Sequence, residues 1–343
     1  MPPTDAVGER APVPEPTEGL ELGTLARPVR RSLNGEHPGE TGTALPPLVD
    51  HHVHLMLVGA DALADTAIAG VVDLGAPLDL VAARRQRDGL PEVDFAGTFL
   101  TAPGGYPSDR PWAPADAVRE LAAITGDGRS ALPDAVQTAV SEQRSFGASV
   151  IKVAMNADAG PVFDARTLDA VVAAAHDRGL PVVAHVEGTG MTRLAVDAGV
   201  DVLAHTPFTE HVDDALIARA VAHGQRWIST LFVTGYGAPS AEQDRAIDNL
   251  GRFHAAGGRV LYGTDLGNGD QPLGVNPDEL ALLVLAGLEA SDVLRAVTDP
   301  WPRSARADGI ATFVPDPLPA TLDELPAWLA RACIVPREDL EDL

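Results

Sequence analysis

The sequence has 343 residues, enough for one large domain of about 250 residues with smaller pieces at its two ends. The net charge of −24 opposes binding to nucleic acid or to anionic membranes, because both partners need basic patches. Hydrophobic residues make up 45% of the chain but aromatic residues only 4%, so we expect the aliphatic core of an α/β protein.

The single cysteine, Cys333, excludes an internal disulfide and fits a reducing compartment, so we expect a cytoplasmic protein. No apolar run approaches the ~20 residues of a membrane span, and the first residues lack a signal pattern. The partners that remain are a small-molecule substrate and a second copy of the chain in a homo-oligomer, since the predicted helices expose Leu and Ala.

Three regions follow one another along the chain. Residues 1–45 are rich in Pro, Gly and Glu, and we expect a flexible start with one or two short strands near residues 20–29. In residues 46–307, short β-branched runs alternate with Ala- and Leu-rich stretches. Residues 308–343 contain closely spaced prolines and then a terminal helix with Thr321 as its predicted N-cap.

The alternation in the central region predicts a (β/α)8 TIM barrel. Amphipathic stretches separate the β-branched runs. One of them is 168–178, which the stop signal Gly179 follows. The predicted strands are 49–54, 69–74, 94–100, 149–154, 181–185, 201–205, 226–231 and 259–263. Strands and helices that alternate in this way over about 260 residues favour a barrel over a doubly wound sheet. The first strand is also not followed by the G-x-G-x-x-G of a dinucleotide site.

The first predicted strand carries three histidines, His51, His52 and His54, among mainly apolar residues. Side chains alternate between the faces of a strand, so His52 and His54 point to one side and His51 to the other. Two imidazoles at fixed spacing are suitable ligands for a transition metal. Packed or surface histidines remain the alternative for this pair alone. For the preceding Asp50 we expect a structural hydrogen-bond role, and His51, on the same face as Asp50, is not a ligand candidate.

Four more reactive side chains lie at or near the ends of later strands. Lys152 interrupts the apolar fourth strand, His185 and His205 close the fifth and sixth, and Asp265 follows the eighth. In a (β/α)8 barrel the carboxyl ends of the strands face a common mouth, which would bring these residues together. Taken singly, Lys152 could reach solvent with its stem buried, and Asp265 could cap a helix.

This order of residues resembles the metal-dependent amidohydrolase superfamily. The matching features are Asp50-x-His52-x-His54 after strand one, a lysine on strand four, histidines ending strands five and six, and an aspartate after strand eight. The segments 101–106, 185–188 and 263–267 are similar to the imidazolonepropionase-like and dipeptidase-like branch. The resemblance runs from about residue 48 to residue 298 and implies the (β/α)8 fold.

The resemblance also implies a role for each candidate residue. His52 and His54 would bind one zinc ion, and His185 and His205 would bind a second. Lys152 would be carbamylated and would bridge both ions. Asp265 would bind the first ion and act as general base. Burial independently favours a reactive Lys152, because an apolar environment lowers a lysine pKa and leaves the amine free.

The implied reaction is hydrolysis of a C–N bond, in an amide, a cyclic amide or a dipeptide-like compound, by a hydroxide activated between two metal ions. A mononuclear deaminase or an imidazolone-type ring hydrolase is an alternative, although Glu187 lies only two residues after His185, which is closer than such deaminases place their glutamate. A barrel scaffold without activity is a further alternative. Tyr106, Tyr236 and His211 are the candidates for substrate binding.

The ends of the chain depart from the pattern of the superfamily. Its members usually build a small β-sandwich beside the barrel from their two ends. Here residues 309–317 offer only a reduced version of the usual tail, so we expect a small, reduced β accessory domain made from residues 1–45 and 308–343.

Overall fold

The computed structural model describes residues 19–59, 61–89, 91–122 and 132–343. The first 18 residues of the predicted flexible start lie outside the described residues. No helix in the described ranges is long and apolar enough to cross a bilayer.

Strands and helices alternate through the central part of the chain. The strands are β1 (Arg27–Arg31), β2 (Thr41–Leu45), β3 (Leu48–Val53), β4 (Ile68–Asp73), β5 (Glu92–Phe95), β6 (Phe99–Thr101), β7 (Val118–Glu120), β8 (Ile151–Asn156), β9 (Val182–Glu187), β10 (Val202–Leu203), β11 (Arg226–Ile228), β12 (Arg259–Leu261), β13 (Ile310–Pro315), β14 (Cys333–Pro336) and β15 (Leu340–Asp342). The helices are α1 (Leu78–Arg85), α2 (Leu132–Phe146), α3 (Ala165–His176), α4 (Met191–Asp197), α5 (Asp214–Ala222), α6 (Ala241–Ala255), α7 (Pro277–Leu285), α8 (Ala290–Thr298) and α9 (Leu325–Leu329).

Side-chain caps begin several of the helices between the strands. Asp164 accepts a hydrogen bond from Thr167 N at 2.8 Å at the start of α3, and Asp213 accepts one from Leu216 N at 2.7 Å at the start of α5. These caps satisfy backbone donors that a helix leaves free at its amino end. The amphipathic stretch predicted at 168–178 falls within α3 and the two residues after it, and its side chains Leu168, Val171, Val172 and Ala175 are buried.

Two parallel sheets make up the centre of the molecule, with strand orders β3-β4-β5 and β12-β11-β10-β9-β8-β6-β7. Backbone hydrogen bonds link them at both sides. His54 N donates to Leu266 O at 2.8 Å beyond β12, and Ser149 N donates to Phe95 O at 2.9 Å between β5 and the start of β8. The predicted α/β fold with parallel sheets is confirmed, and the carboxyl ends of these strands lie around one region.

The third predicted strand, 94–100, is wrong as a single element. The structure divides this stretch into β5 and β6, with Gly97 between them at φ +86°. A Cβ at this position would also lie 2.4 Å from Leu78 Cδ2. The left-handed backbone and the close helix both require glycine, and the bend that results moves β6 into the second sheet.

Both ends of the chain enter one antiparallel sheet with the order β14-β13-β2-β1-β15. Its buried face contains Val29, Ala44, Phe313 and Val335. The first strand lies at Arg27–Arg31, later than the predicted residues 20–29. The predicted division of the chain at residues 45 and 307 stays a prediction.

The predicted terminal helix is only partly correct. Thr321 makes no side-chain cap, and Leu322–Glu324 form a 3-10 turn before the short α9. The carboxylate of Glu324 instead accepts a hydrogen bond from Ala320 N at 2.7 Å. The chain then continues into β14 and β15, so it ends in the antiparallel sheet and not in a helix.

A buried ion-pair network ties the segment after α8 to β5. Asp94, only 1% exposed, accepts hydrogen bonds from Arg303 Nε at 2.8 Å and from Arg306 Nη1 at 2.7 Å. Its other oxygen accepts one from Ser149 Oγ at 2.8 Å. Glu92 also lies 3.0 Å from Arg303 Nη1 but 3.8 Å from Arg306 Nη1. Without Asp94, the buried guanidinium of Arg306 would therefore lose the nearer of the two anions that offset its desolvation.

We expect Asp94→Ala to lower the free energy of unfolding by about 3–5 kcal/mol, measured by urea denaturation. The control is Asp197→Ala, which removes a carboxylate 2.6 Å from Arg219, with both side chains near half exposed. That loss should be below about 1 kcal/mol. Equal losses in the two variants would contradict a stabilising role for the buried network.

Candidate metal centre

The carboxyl ends of the parallel strands surround a cavity of about 340 Å³. All six predicted metal ligands line it: His52, His54, Lys152, His185, His205 and Asp265. Apart from His52 and His54, they are distant in sequence, and the folding of the sheets brings them together. At least 91% of each of these residues is buried from solvent.

Three of these side chains direct ligand atoms at a common point. The Nε2 atoms of His52 and His54 are 3.3 Å apart, and Oδ1 of Asp265 lies 3.1 Å from the first and 3.2 Å from the second. Among the described residues they form the group whose ligand atoms all lie within 4.8 Å of one another. The arrangement is as compact as the first coordination shell of one ion.

The outer nitrogens of the two imidazoles determine which atoms carry protons. His52 Nδ1 lies 2.8 Å from Ala204 O, and His54 Nδ1 lies 3.2 Å from Gly75 O. A carbonyl oxygen only accepts, so each Nδ1 is the protonated nitrogen and each Nε2 of the neutral ring is a lone pair. Burial holds the pKa of His52 well below its usual value, which favours that neutral ring.

The arrangement of the three ligand atoms therefore suits a bound metal ion better than direct contact among the three side chains. Two lone pairs face a carboxylate oxygen, and Asp265 Oδ1 receives no well-aligned hydrogen bond from the described residues. A tetrahedral ion with bonds of about 2.0–2.1 Å would separate its donor atoms by about 3.3–3.4 Å. The three observed separations, 3.1–3.3 Å, are close to that value.

Asp265 is held by its own backbone and by a neighbouring amide. Its φ is +57°, a left-handed conformation that aspartate adopts more readily than most residues, and Asn268 Nδ2 donates to Oδ2 at 2.9 Å. Burial opposes ionisation, but positive charge on the imidazoles of His52 and His54, present when these rings are protonated, brings the pKa of Asp265 well below its usual value. The carboxylate is therefore available as an anionic ligand at neutral pH.

Lys152 is the only lysine in the sequence. It lies on β8 and is 1% exposed, and its burial lowers the pKa of the amine to about 7. Near neutral pH a large fraction of this amine is therefore uncharged and nucleophilic. The absence of any other lysine was a sequence feature that could have singled out Lys152, and the pattern of predicted strands does not include it.

His205 lies between the first cluster and His185. Its ring centroid is 4.7 Å from that of His52 and 4.9 Å from that of His185. Nδ1 of His205 lies 2.9 Å from Thr230 Oγ1, and burial lowers the pKa of the ring to about 3. Both features favour a neutral imidazole with a nitrogen available to a ligand.

His185 has a carboxylate partner that sequence reasoning discounted. Glu187 Oε1 lies 2.9 Å from His185 Nε2, a close contact without hydrogen-bond alignment, and Asn156 donates to the other oxygen of Glu187. Burial would raise the pKa of Glu187, but the charge of His185 brings it below its usual value. Carboxylates beside histidines commonly orient metal ligands.

Asp50 makes the structural hydrogen bonds expected of it, and His51, which was not a ligand candidate, lies beside it on the strand. Asp50 accepts hydrogen bonds from Thr264 N at 3.0 Å and from Thr264 Oγ1 at 2.5 Å, which joins β3 to the segment that carries Asp265. His51 Nδ1 lies 2.8 Å from Tyr262 O, away from the cavity.

The three substrate-binding candidates lie in different places. Tyr106 lines the cavity and stacks on His185, with ring centroids 5.0 Å apart. Tyr236 is 46% exposed, and its hydroxyl donates to Asn268 Oδ1 at 3.0 Å, which places it beside a lining residue. His211 is exposed beside Asp248 and is not among the described lining residues.

Several lining residues were not predicted as site residues: Phe99, Trp112, Glu187, Phe208, Glu242 and Asn268. Trp112 ends the loop 103–112, which the sequence indicates as one of the loops that would select the substrate, without singling out this residue. Its ring centroid is 6.3 Å from that of His54. A tryptophan in a loop carries no periodic signal, so only the three-dimensional structure identifies it.

The comparisons with known sequences give no functional name. No protein-family model matches the chain. Uncharacterized proteins of Mycobacterium bovis and Mycobacterium tuberculosis are 27% identical to it, over 74% of this chain and 72% of theirs.

Solved structures share the fold. An Xaa-Pro dipeptidase with bound methionine has a TM-score of 0.64 at 20% identity and covers 88% of this chain and 87% of its own. The ochratoxinase of A. niger has 0.65 at 18%, covering 84% and 81%. Phenylurea hydrolase B has 0.64 at 15%, covering 87% and 85%. These neighbours belong to the amidohydrolase superfamily, so the predicted resemblance is confirmed at the level of the fold.

We expect the buried amine of Lys152 to destabilise the metal-free protein. At pH 7, Lys152→Met should raise its free energy of unfolding by roughly 2 kcal/mol or more, measured with chelator and without CO2. A free lysine keeps its proton to about pH 10.5, whereas the folded one loses it near 7, so wild-type stability rises between these values. The difference in free energy of unfolding between the variant and the wild type should therefore narrow as the pH rises. A wild type as stable as the variant at pH 7 would contradict the assignment of a buried amine.

Proposed function

We propose that the chain is a metal-dependent hydrolase that cleaves a C–N bond in an amide, a cyclic amide or a dipeptide-like compound. The observation that supports it most directly is the convergence of two imidazole lone pairs and one carboxylate oxygen, within 3.3 Å of one another, in the wall of a cavity. Neighbours of the same fold are hydrolases, among them ochratoxinase and phenylurea hydrolase B.

The donor set supports two zinc ions. His52, His54 and Asp265 would hold one, His185 and His205 would hold the second, and a carbamylated Lys152 would bridge them. Nitrogen and oxygen donors of this kind suit zinc. Divalent ions in these positions supply Lewis acidity toward an amide carbonyl and lower the pKa of water.

The protein's own side chains would carry the remaining steps. The Asp265 carboxylate is placed to accept a proton from the attacking water and to return it to the leaving nitrogen. The rings of Tyr106 and Trp112, with centroids 6.1 Å apart, would hold the substrate and limit access of solvent. In this proposal the linked parallel sheets form a (β/α)8 barrel, and the sheet made by the chain ends is its accessory domain.

A one-metal enzyme, either a deaminase or an imidazolone-type ring hydrolase, is the second candidate. Among the described residues, only His52, His54 and Asp265 form a group with all ligand atoms within 4.8 Å. The contact of His185 with Glu187 would then belong to a proton-transfer pair and not to a second ion. Metal content separates the two candidates.

We expect the purified protein to contain about two zinc ions per chain by elemental analysis. Lys152→Ala should lose at least about half of the metal and nearly all activity toward amides, because the bridging group is absent. Since Lys152 is the only lysine, ¹³C-labelled bicarbonate should give one side-chain carbamate signal that the variant lacks.

The matched controls are histidine variants. The His185→Asn variant should lose metal. The His223→Asn variant should keep its metal, because His223 is an exposed residue directly after α5. One zinc per chain that Lys152→Ala and His185→Asn both retain would contradict the two-metal proposal and favour the one-metal enzyme. Failure to bind zinc at saturating concentration would contradict both.

A further inference from the structure

Aromatic side chains form much of the cavity wall next to the metal cluster. Trp112 lies at their centre, with its ring centroid 6.1 Å from those of Phe99 and Tyr106 and 6.3 Å from that of His54. Phe208 lies 6.3 Å from His205 by the same measure. A substrate held against the ligands must therefore contact aromatic rings on the adjoining part of its structure.

The charges that line the same cavity are unusual for a site that binds a carboxylate. Besides Asp265, the described lining residues contribute two carboxylates, Glu187 and Glu242. Lys152 is the one Lys or Arg side chain among these lining residues, and it belongs to the metal cluster. Glu187 lies against His185 of that cluster, so the cavity wall away from the cluster offers the carboxylate of Glu242 and aromatic surface.

Two arginines contact residues of the cavity wall. The guanidinium carbon of Arg110 lies 5.6 Å from the centre of the Tyr106 ring, and its Nε is 3.3 Å from Asp109 without hydrogen-bond alignment. Arg245 donates to the carbonyl oxygen of Phe208 from behind that wall residue. Neither is among the described lining residues.

A dipeptide presents a difficulty in such a cavity. Its amide must reach His52, His54 and Asp265, so its free carboxylate would need a separate cation farther along the wall. A buried carboxylate without such a partner loses hydration that nothing replaces. A neutral group has no such loss, and a cation gains from the lining carboxylates.

We propose that the substrate is an amide-type compound whose aromatic or apolar substituent is neutral or cationic and carries no carboxylate. This inference rests on the hydrolase function proposed above and narrows it, since it excludes free dipeptides. Glu242 is the specificity-determining residue at the exposed end of the cavity. It lies in the first turn of α6 and selects cationic over anionic substituents.

A matched series of anilides tests the proposal on the zinc-loaded, full-length protein. The compounds share an acetyl group and carry a methyl, an aminomethyl or a carboxyl group at the para position of the aniline ring. We expect kcat/KM for the neutral and cationic compounds to exceed that for the carboxylate by about tenfold or more. A carboxylate compound hydrolysed equally well or faster would overturn the proposal.

Variants of α6 test the role of Glu242. Glu242→Gln should lower the ratio of kcat/KM between the cationic and anionic compounds by roughly two- to fivefold, as expected for an exposed charge. Asp244→Asn is the control, because Asp244 shares the first turn of α6 but is not among the described lining residues. Equal ratios in the two variants would overturn the assignment of Glu242.

The proposed function and this inference can fail separately. If zinc-loaded protein hydrolyses none of the anilides, binding of the same three compounds is measured by calorimetry on chelator-treated protein, where zinc cannot hold the carboxylate. Weaker binding of the carboxylate compound, with a preference that Glu242→Gln reduces, supports the charge selection although the hydrolase has failed. Equal affinities would overturn it.

Discussion

The site depends on a local arrangement that is unfavourable without a cation. Nε2 of His52 and Nε2 of His54 direct lone pairs at each other and at the Asp265 carboxylate, at separations of 3.1–3.3 Å. Buried lone pairs at such distances repel, and a stable fold rarely leaves polar atoms without partners. The rest of the molecule therefore has to hold these three groups together, and a metal ion relieves the repulsion that results.

The parallel sheets supply that restraint through the backbone. The carbonyl oxygen of Ala204, after β10, fixes the tautomer of His52, and that of Gly75, after β4, fixes the tautomer of His54. Asp50 on β3 accepts from the backbone and hydroxyl of Thr264, immediately before Asp265. The positions of the strands thus determine which nitrogen of each ring can bind an ion.

Much of this could be predicted from the sequence, because the ligands follow a simple rule. His52, His185 and His205 come at or near the ends of apolar runs, and the carboxyl ends of parallel strands meet. What failed depends on single contacts. The left-handed backbone of Gly97, at φ +86°, divides the third strand, and no pattern of apolar residues indicates it. His211, named as a substrate candidate, lies on the surface because its loop pairs with α6.

The protein contains one lysine and many arginines, and the different acid–base behaviour of the two side chains gives a physical reason for this. Arginine keeps its charge at any accessible pH and forms ion pairs such as that of Arg306 with Asp94, so it serves where a permanent cation is needed. In the proposed two-metal site a permanent cation at position 152 would repel the ions. Lysine alone among basic residues of this length can lose its proton on burial and then become an anionic carbamate. Arginine could therefore not take the place of lysine at position 152.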